Sequence, residues 1–130
     1  MGLASTSKLM GCQGAICNII GVMFMNRTIA HMAHLKTSSF AAHKALNEFY
    51  DEVVDQADSL IEVAQGQYGK LDIPFVGFDG SIEDPVMMMT EQLRILEGYG
   101  REIDEEHLKN IFQEIQSLYR KTLYLLKELH

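Results

Sequence analysis

Apolar positions along the chain fall into four runs with helical spacing, separated by polar or glycine-rich breaks. Ile16, Ile20, Met23, Phe24, Ala30 and Leu35 recur every three or four residues, which predicts a first helix from Ala15 to Lys36, ended by Thr37-Ser38-Ser39. Ser39 is placed to cap a second helix from Phe40 to about Gln65. Its stripe is Ala42, Leu46, Phe49, Tyr50, Val53, Ala57, Leu60, Ile61 and Ala64, and Gly66 and Gly69 mark its end. Asp84-Pro85 supplies a cap followed by proline at the first helical position, opening a short third helix through Met87, Met88, Met89, Leu93 and Ile95 to a stop at Gly98. Asp104 is the expected cap of a fourth, where Leu108, Ile111, Phe112, Ile115, Leu118, Tyr119, Thr122, Leu126 and Leu129 form the cleanest stripe in the chain. Between the second and third helices, Lys70 to Asp84 mixes Pro74, Gly77 and Gly80 with β-prone Ile73, Phe75, Val76 and Phe78. It reads as a long crossover loop with room for a short extended piece.

Two short connections and one long one predict an all-α fold, a ferritin-like four-helix bundle with one crossover loop. At 130 residues the chain supports one core. We expect residues 1–14 to be a flexible N-terminal segment and 15–130 to form the single bundle domain. Leu9 to Met25 is apolar, but Gly11, Gln13, Gly14, Asn18 and Gly21 interrupt it, so neither a membrane span nor a secretory signal is expected and the location is cytoplasmic. Cys12 and Cys17 have no second pair to make a disulfide framework and read as buried thiols. Eighteen acidic residues against 11 basic ones give a net charge of −7, which argues against a phosphate-neutralising surface and a nucleic-acid partner.

The chemistry concentrates on the second helix. At about 100° per residue, with His43 set at the origin, Asn47 falls at about 40°, Asp58 at about 60°, Asp51 at about 80° and Glu62 at about 100°. The apolar stripe is centred at roughly 290° on the same wheel. His43 and the carboxylates therefore look away from the bundle's own core, and a partner must supply the rest of any site. His31 and His34, one turn apart near the end of the first helix, can point at a common atom. Histidine with carboxylate suits iron or manganese and also accepts zinc. Met87 to Met89 cannot all face one way and read as core or interface packing, while His107 and His130 read as exposed.

The run from Phe40 to Glu62, FAAHKALNEFYDEVVDQADSLIE, resembles helix two of the Dps miniferritins, twelve-subunit ferritin-like cages of starved bacteria. His43, Asp58 and Glu62 stand at that family's spacing, and His31-Met32-Ala33-His34-Leu35 looks like its histidine-bearing end of helix one. His31 matches by distance to His43, and His34 by local context with a shorter loop. Asn47 stands where the family carries a further carboxylate. The resemblance implies a homo-oligomer with a ferroxidase site across a two-fold interface, histidine from one chain and the Asp58–Glu62 pair from its neighbour. It further implies oxidation of ferrous iron by hydrogen peroxide and storage of the ferric product. A second function class is a non-enzymatic bundle that binds another protein through the Met-rich third helix or the apolar first helix. Shortened versions of known folds occur often in bacteriophage genomes, where such adaptors have a place.

Overall fold

Two of the expected caps set the helix starts. Ser39 Oγ accepts the Ala42 N–H at 3.1 Å, and Asp84 Oδ1 accepts the Met87 N–H at 3.1 Å with Pro85 in the first turn. The structure, a computed structural model, describes residues 11–129. Its helices are α1 (Cys12–Lys36), α2 (Phe40–Tyr68), α3 (Pro85–Gly100) and α4 (Glu106–Glu128). The protein is an all-α four-helix bundle, with no strand among the described residues.

Boundaries shift where tertiary contacts override local signals. α1 starts at Cys12 after Gly11, so residues 12–14 of the expected flexible segment are helical, and residues 1–10 lie outside the described residues. α2 runs through Gly66 and ends at Gly69, whose φ of 86° suits only glycine and whose N–H bonds the Gln65 carbonyl at 2.8 Å. α4 is not capped by Asp104: the chain enters at Glu105, whose carbonyl takes the first N–H groups and whose carboxylate accepts from Gln67 at the end of α2. Residues 69–84 form no extended pair, because they lie against a helix that offers no ladder partner.

α1 packs on α2 and α3, and α4 packs on the same two, so the helices close a square in the order α1, α2, α4, α3. The three-residue turn 37–39 makes α1 and α2 antiparallel neighbours. The long segment 69–84 then runs the length of α1, past Gly21 and on to Glu83, which pairs with Lys36 at 3.3 Å at the far end. A Cβ at Gly21 would lie 2.6 Å from the Pro74 carbonyl oxygen, so this strap can seat only over a glycine. α3 consequently starts where α1 ends.

Ile16, Ile20, Met23, Leu46, Phe49, Leu60, Leu96 and Leu108 are sealed in the core. Among them sits a polar network that links three helices: Asn26 Nδ2 donates to Gln92 Oε1 at 2.7 Å, and Tyr119 OH donates to Asn26 Oδ1 at 2.6 Å. Phe49 meets the Tyr119 ring edge-on, centroids 4.8 Å apart, and burial holds the Tyr119 hydroxyl well above its ordinary pKa. Met88 and Met89 are buried and Met87 is exposed, as a helical run requires. Cys17 is buried and Cys12 half-buried, both free, and burial together with nearby Asp72 raises the Cys17 thiol. Two expected stripe residues of α1 do not enter the core: Leu35 is 73% exposed and Phe24 39%. α1 is apolar on its outer face as well as its inner one, so spacing alone could not say which side a residue takes. Leu129 likewise lies beyond α4, half-exposed. Among the described residues, no helix is long and apolar enough to cross a membrane.

Candidate metal centre

The short turn after α1 returns the chain at once, with Thr37 Oγ1 accepting the Ser39 N–H at 3.1 Å. His34, in the last turn of α1, is thereby laid against His43, in the first turn of α2. Their rings stack with centroids 3.6 Å apart and planes 23° from parallel. Each ring nitrogen Nδ1 bonds the other residue's backbone carbonyl: His34 Nδ1 to the His43 oxygen at 2.6 Å, His43 Nδ1 to the His34 oxygen at 2.8 Å. A carbonyl only accepts, so both Nδ1 atoms carry their proton. In the neutral form of such a ring, Nε2 holds the bare lone pair. Neither Nε2 has a hydrogen-bond partner among the described residues. His34 is buried, at 7% exposure, and His43 half-buried; Gln56 Oε1 is the only fully buried side-chain nitrogen or oxygen without a partner among the described residues.

His31 takes a different place. It stacks on Tyr50 at 4.2 Å and meets His34 only by its edge at 5.8 Å. The Tyr50 hydroxyl donates to Asn47 Oδ1 at 2.7 Å, and Asn47 Nδ2 donates to Asp51 Oδ2 at 3.1 Å. The Arg27 guanidinium lies 5.7 Å from the Tyr50 ring centre, within range of a cation–π contact. The histidines thus belong to one aromatic layer, and the nearest hydrogen-bonded carboxylate is Asp51, reached through Asn47.

His31, His34 and His43 are therefore brought together within one chain, and Asp58 and Glu62 are not. Both acids are exposed on α2. Asp58 stands fifteen residues beyond His43, roughly 22 Å along the helix, and Glu62 nineteen, roughly 28 Å. Among the described residues, no group of three His, Cys, Asp or Glu side chains in one chain is arranged to hold a metal ion. Sequence reasoning missed two members of the layer, Tyr50 and Arg27. Tyr50 is two turns from His43 on nearly the same face, and Arg27 one turn before His31, which is the signal that was available.

Residues 34–126 match a family model described as a family of unknown function, DUF5856. The chain belongs to the DUF5856 family. The matched stretch opens at His34 and takes in all of α2 and α3 and most of α4, so His34, His43, Asp58, Glu62 and the strap are within the DUF5856 region, while His31 and Arg27 precede it. No curated protein and no solved structure matches the chain.

Proposed function

We propose that this DUF5856 protein binds a divalent metal ion at a site that two copies complete together. His34 and His43 come from one copy, and Asp58 and Glu62 from the other. The observation that carries the reading is the reciprocal pair of Nδ1–carbonyl bonds. A histidine that ligates a metal usually gives its other ring N–H to a carbonyl or carboxylate, which fixes the tautomer and aims the free nitrogen. Both rings meet that condition within a single chain, and neither Nε2 has a hydrogen-bond partner among the described residues. The carboxylates are exposed on the outward face of α2, too far along it to serve their own histidines, so a second copy is the source that fits. The reading therefore includes a homodimer or a larger assembly.

Imidazole and carboxylate donors suit iron or manganese and also accept zinc. The resemblance to the Dps miniferritins and the one-crossover connectivity support iron as substrate, with ferrous ion oxidised at the expense of hydrogen peroxide. In this scheme His34 and His43 bind through Nε2, the turn 37–39 holds them in register, and Asp58 and Glu62 balance the cation's charge. His31 braces the layer from Tyr50.

The test is anaerobic loading of the full chain with ferrous iron, followed by ferric absorbance after peroxide is added, with His43→Ala and Asp58→Ala beside wild type. Each substitution should weaken binding by about tenfold or more. Acidification should release the metal as the imidazoles protonate. A wild type that binds neither iron, manganese nor zinc, or variants indistinguishable from it, ends the proposal.

A further inference from the structure

The polar network of the core ends on a donor with nothing to donate to. Asn26 Oδ1 accepts from Tyr119, so Asn26 offers Nδ2 to Gln92 and fixes the Gln92 amide with Oε1 facing the network. Gln92 Nε2 has no hydrogen-bond partner among the described residues, although Gln92 is only 4% exposed. A buried amide of this kind ordinarily finds a partner in protein, water or ligand. Gln92 also lines a cavity of about 220 Å³ between the end of the strap and the first turns of α3.

We propose that this cavity binds a small neutral molecule through a carbonyl oxygen, with Gln92 Nε2 and Ser81 Oγ as its donors. The side chains of the lining set that class. Glu83 is paired with Lys36, Glu91 with Arg94, and Asp84 Oδ1 accepts the Met87 N–H. Ser81 Oγ accepts the Glu83 N–H and keeps its own proton to give. The unengaged side-chain groups are therefore donors, the Gln92 amide and the Ser81 hydroxyl, and they call for an acceptor. Three carboxylates in the lining repel an anion, so the acceptor is a neutral oxygen. Buried Met88 and half-buried Phe78 supply apolar walls. The size admits an aromatic ring with one short substituent, since an apolar cavity of about 150 Å³ already takes benzene. No histidine lines the cavity, so this inference stands apart from the metal reading.

The probe is acetophenone, compared with α-methylstyrene, which carries a methylene in place of the carbonyl oxygen, and with benzoate. Each is titrated into the isotope-labelled full chain and followed by its amide resonances. Acetophenone should move the Gln92 side-chain amide together with backbone amides of residues 78–92. It should bind at least about tenfold tighter than either comparison compound, the factor that a hydrogen bond to a buried donor supplies. Gln92→Glu keeps an oxygen for Asn26 and replaces the donor with a second acceptor, and should remove that tenfold advantage. Ser81→Ala, at an exposed position, should weaken acetophenone by about threefold with the circular dichroism unchanged. If Gln92→Glu does not fold, the wild-type amide shift and Ser81→Ala decide the matter. Equal binding of α-methylstyrene or benzoate overturns the proposal. So does a Gln92 side-chain amide that stays in place while acetophenone binds. Absence of binding at millimolar acetophenone leaves water as the partner of Nε2 and overturns it equally.

Discussion

Asn26 and Tyr119 use their hydrogen-bonding groups on one another and on Gln92 deep inside the bundle, whereas His34 and His43 use only half of theirs at its edge. The first cluster is enclosed by apolar side chains, where an unmade bond costs roughly 1–3 kcal/mol, so nothing there can be left open. It fixes how α1, α3 and α4 register. The second lies beside the α1–α2 turn, where water can complete what the protein leaves unbonded. A bare nitrogen is tolerable there, and spare donor capacity is what a ligand site needs. The two clusters separate polar groups that specify the fold from polar groups free to act outward.

That distinction can be attacked with substitutions of decreasing effect. Asn26→Ala should be the most damaging, since it strands the Tyr119 hydroxyl and Gln92 Oε1 together; urea unfolding should show a loss of about 3 kcal/mol. Tyr119→Phe strands only Asn26 Oδ1, and about 2 kcal/mol should go at neutral pH. Its pH dependence has a definite sign. Burial raises the folded-state pKa of Tyr119 above its ordinary 10, so its contribution is fully present below pH 10 and is lost as pH climbs through the folded value. Wild type should therefore lose stability in alkali more steeply than Tyr119→Phe.

Gly21→Ala pushes a methyl group onto the Pro74 carbonyl, a backbone atom that cannot swing aside, and should lower stability by roughly 1–2 kcal/mol. His34→Ala should cost about 1 kcal/mol, because it removes a single hydrogen bond, and yet remove metal binding. A cost equal to that of Asn26→Ala would make the histidine layer another structural cluster and erase the contrast. Lys36→Ala, breaking an exposed pair, should change the unfolding free energy by no more than about 0.5 kcal/mol.

Much of this architecture is legible in the sequence because its causes are local. Ser39 and Asp84-Pro85 announce their helices through chemistry confined to one turn, and the α2 and α4 stripes alternate clearly enough to give both element and face. The start of α4 is not local: Glu105 is held by Gln67 across the bundle, which no cap pattern reveals. Leu35 follows the right spacing but faces outward, since α1 carries apolar residues on its outer face as well as its inner one. At the candidate site, the spacing of His43 and the one-turn offset of His31 and His34 are readable. Which of the two meets His43 depends on the exit angle of a three-residue turn, and the structure gives His34. The Asn26–Gln92–Tyr119 network joins residues 66 and 93 positions apart and leaves no signature in the sequence.

The central claim is that one copy's histidines and another's carboxylates share a metal ion, and subunit complementation tests it most directly. Mix His43→Ala chains with Asp58→Ala, Glu62→Ala double-variant chains through a denaturation and refolding step, and measure bound iron against each variant alone. Neither variant alone should bind appreciably. Random pairing around a two-fold axis should restore about a quarter of the wild-type sites, since half of the dimers are mixed and each holds one intact site. No recovery in the mixture, with both variants folded and oligomeric, would contradict the shared site.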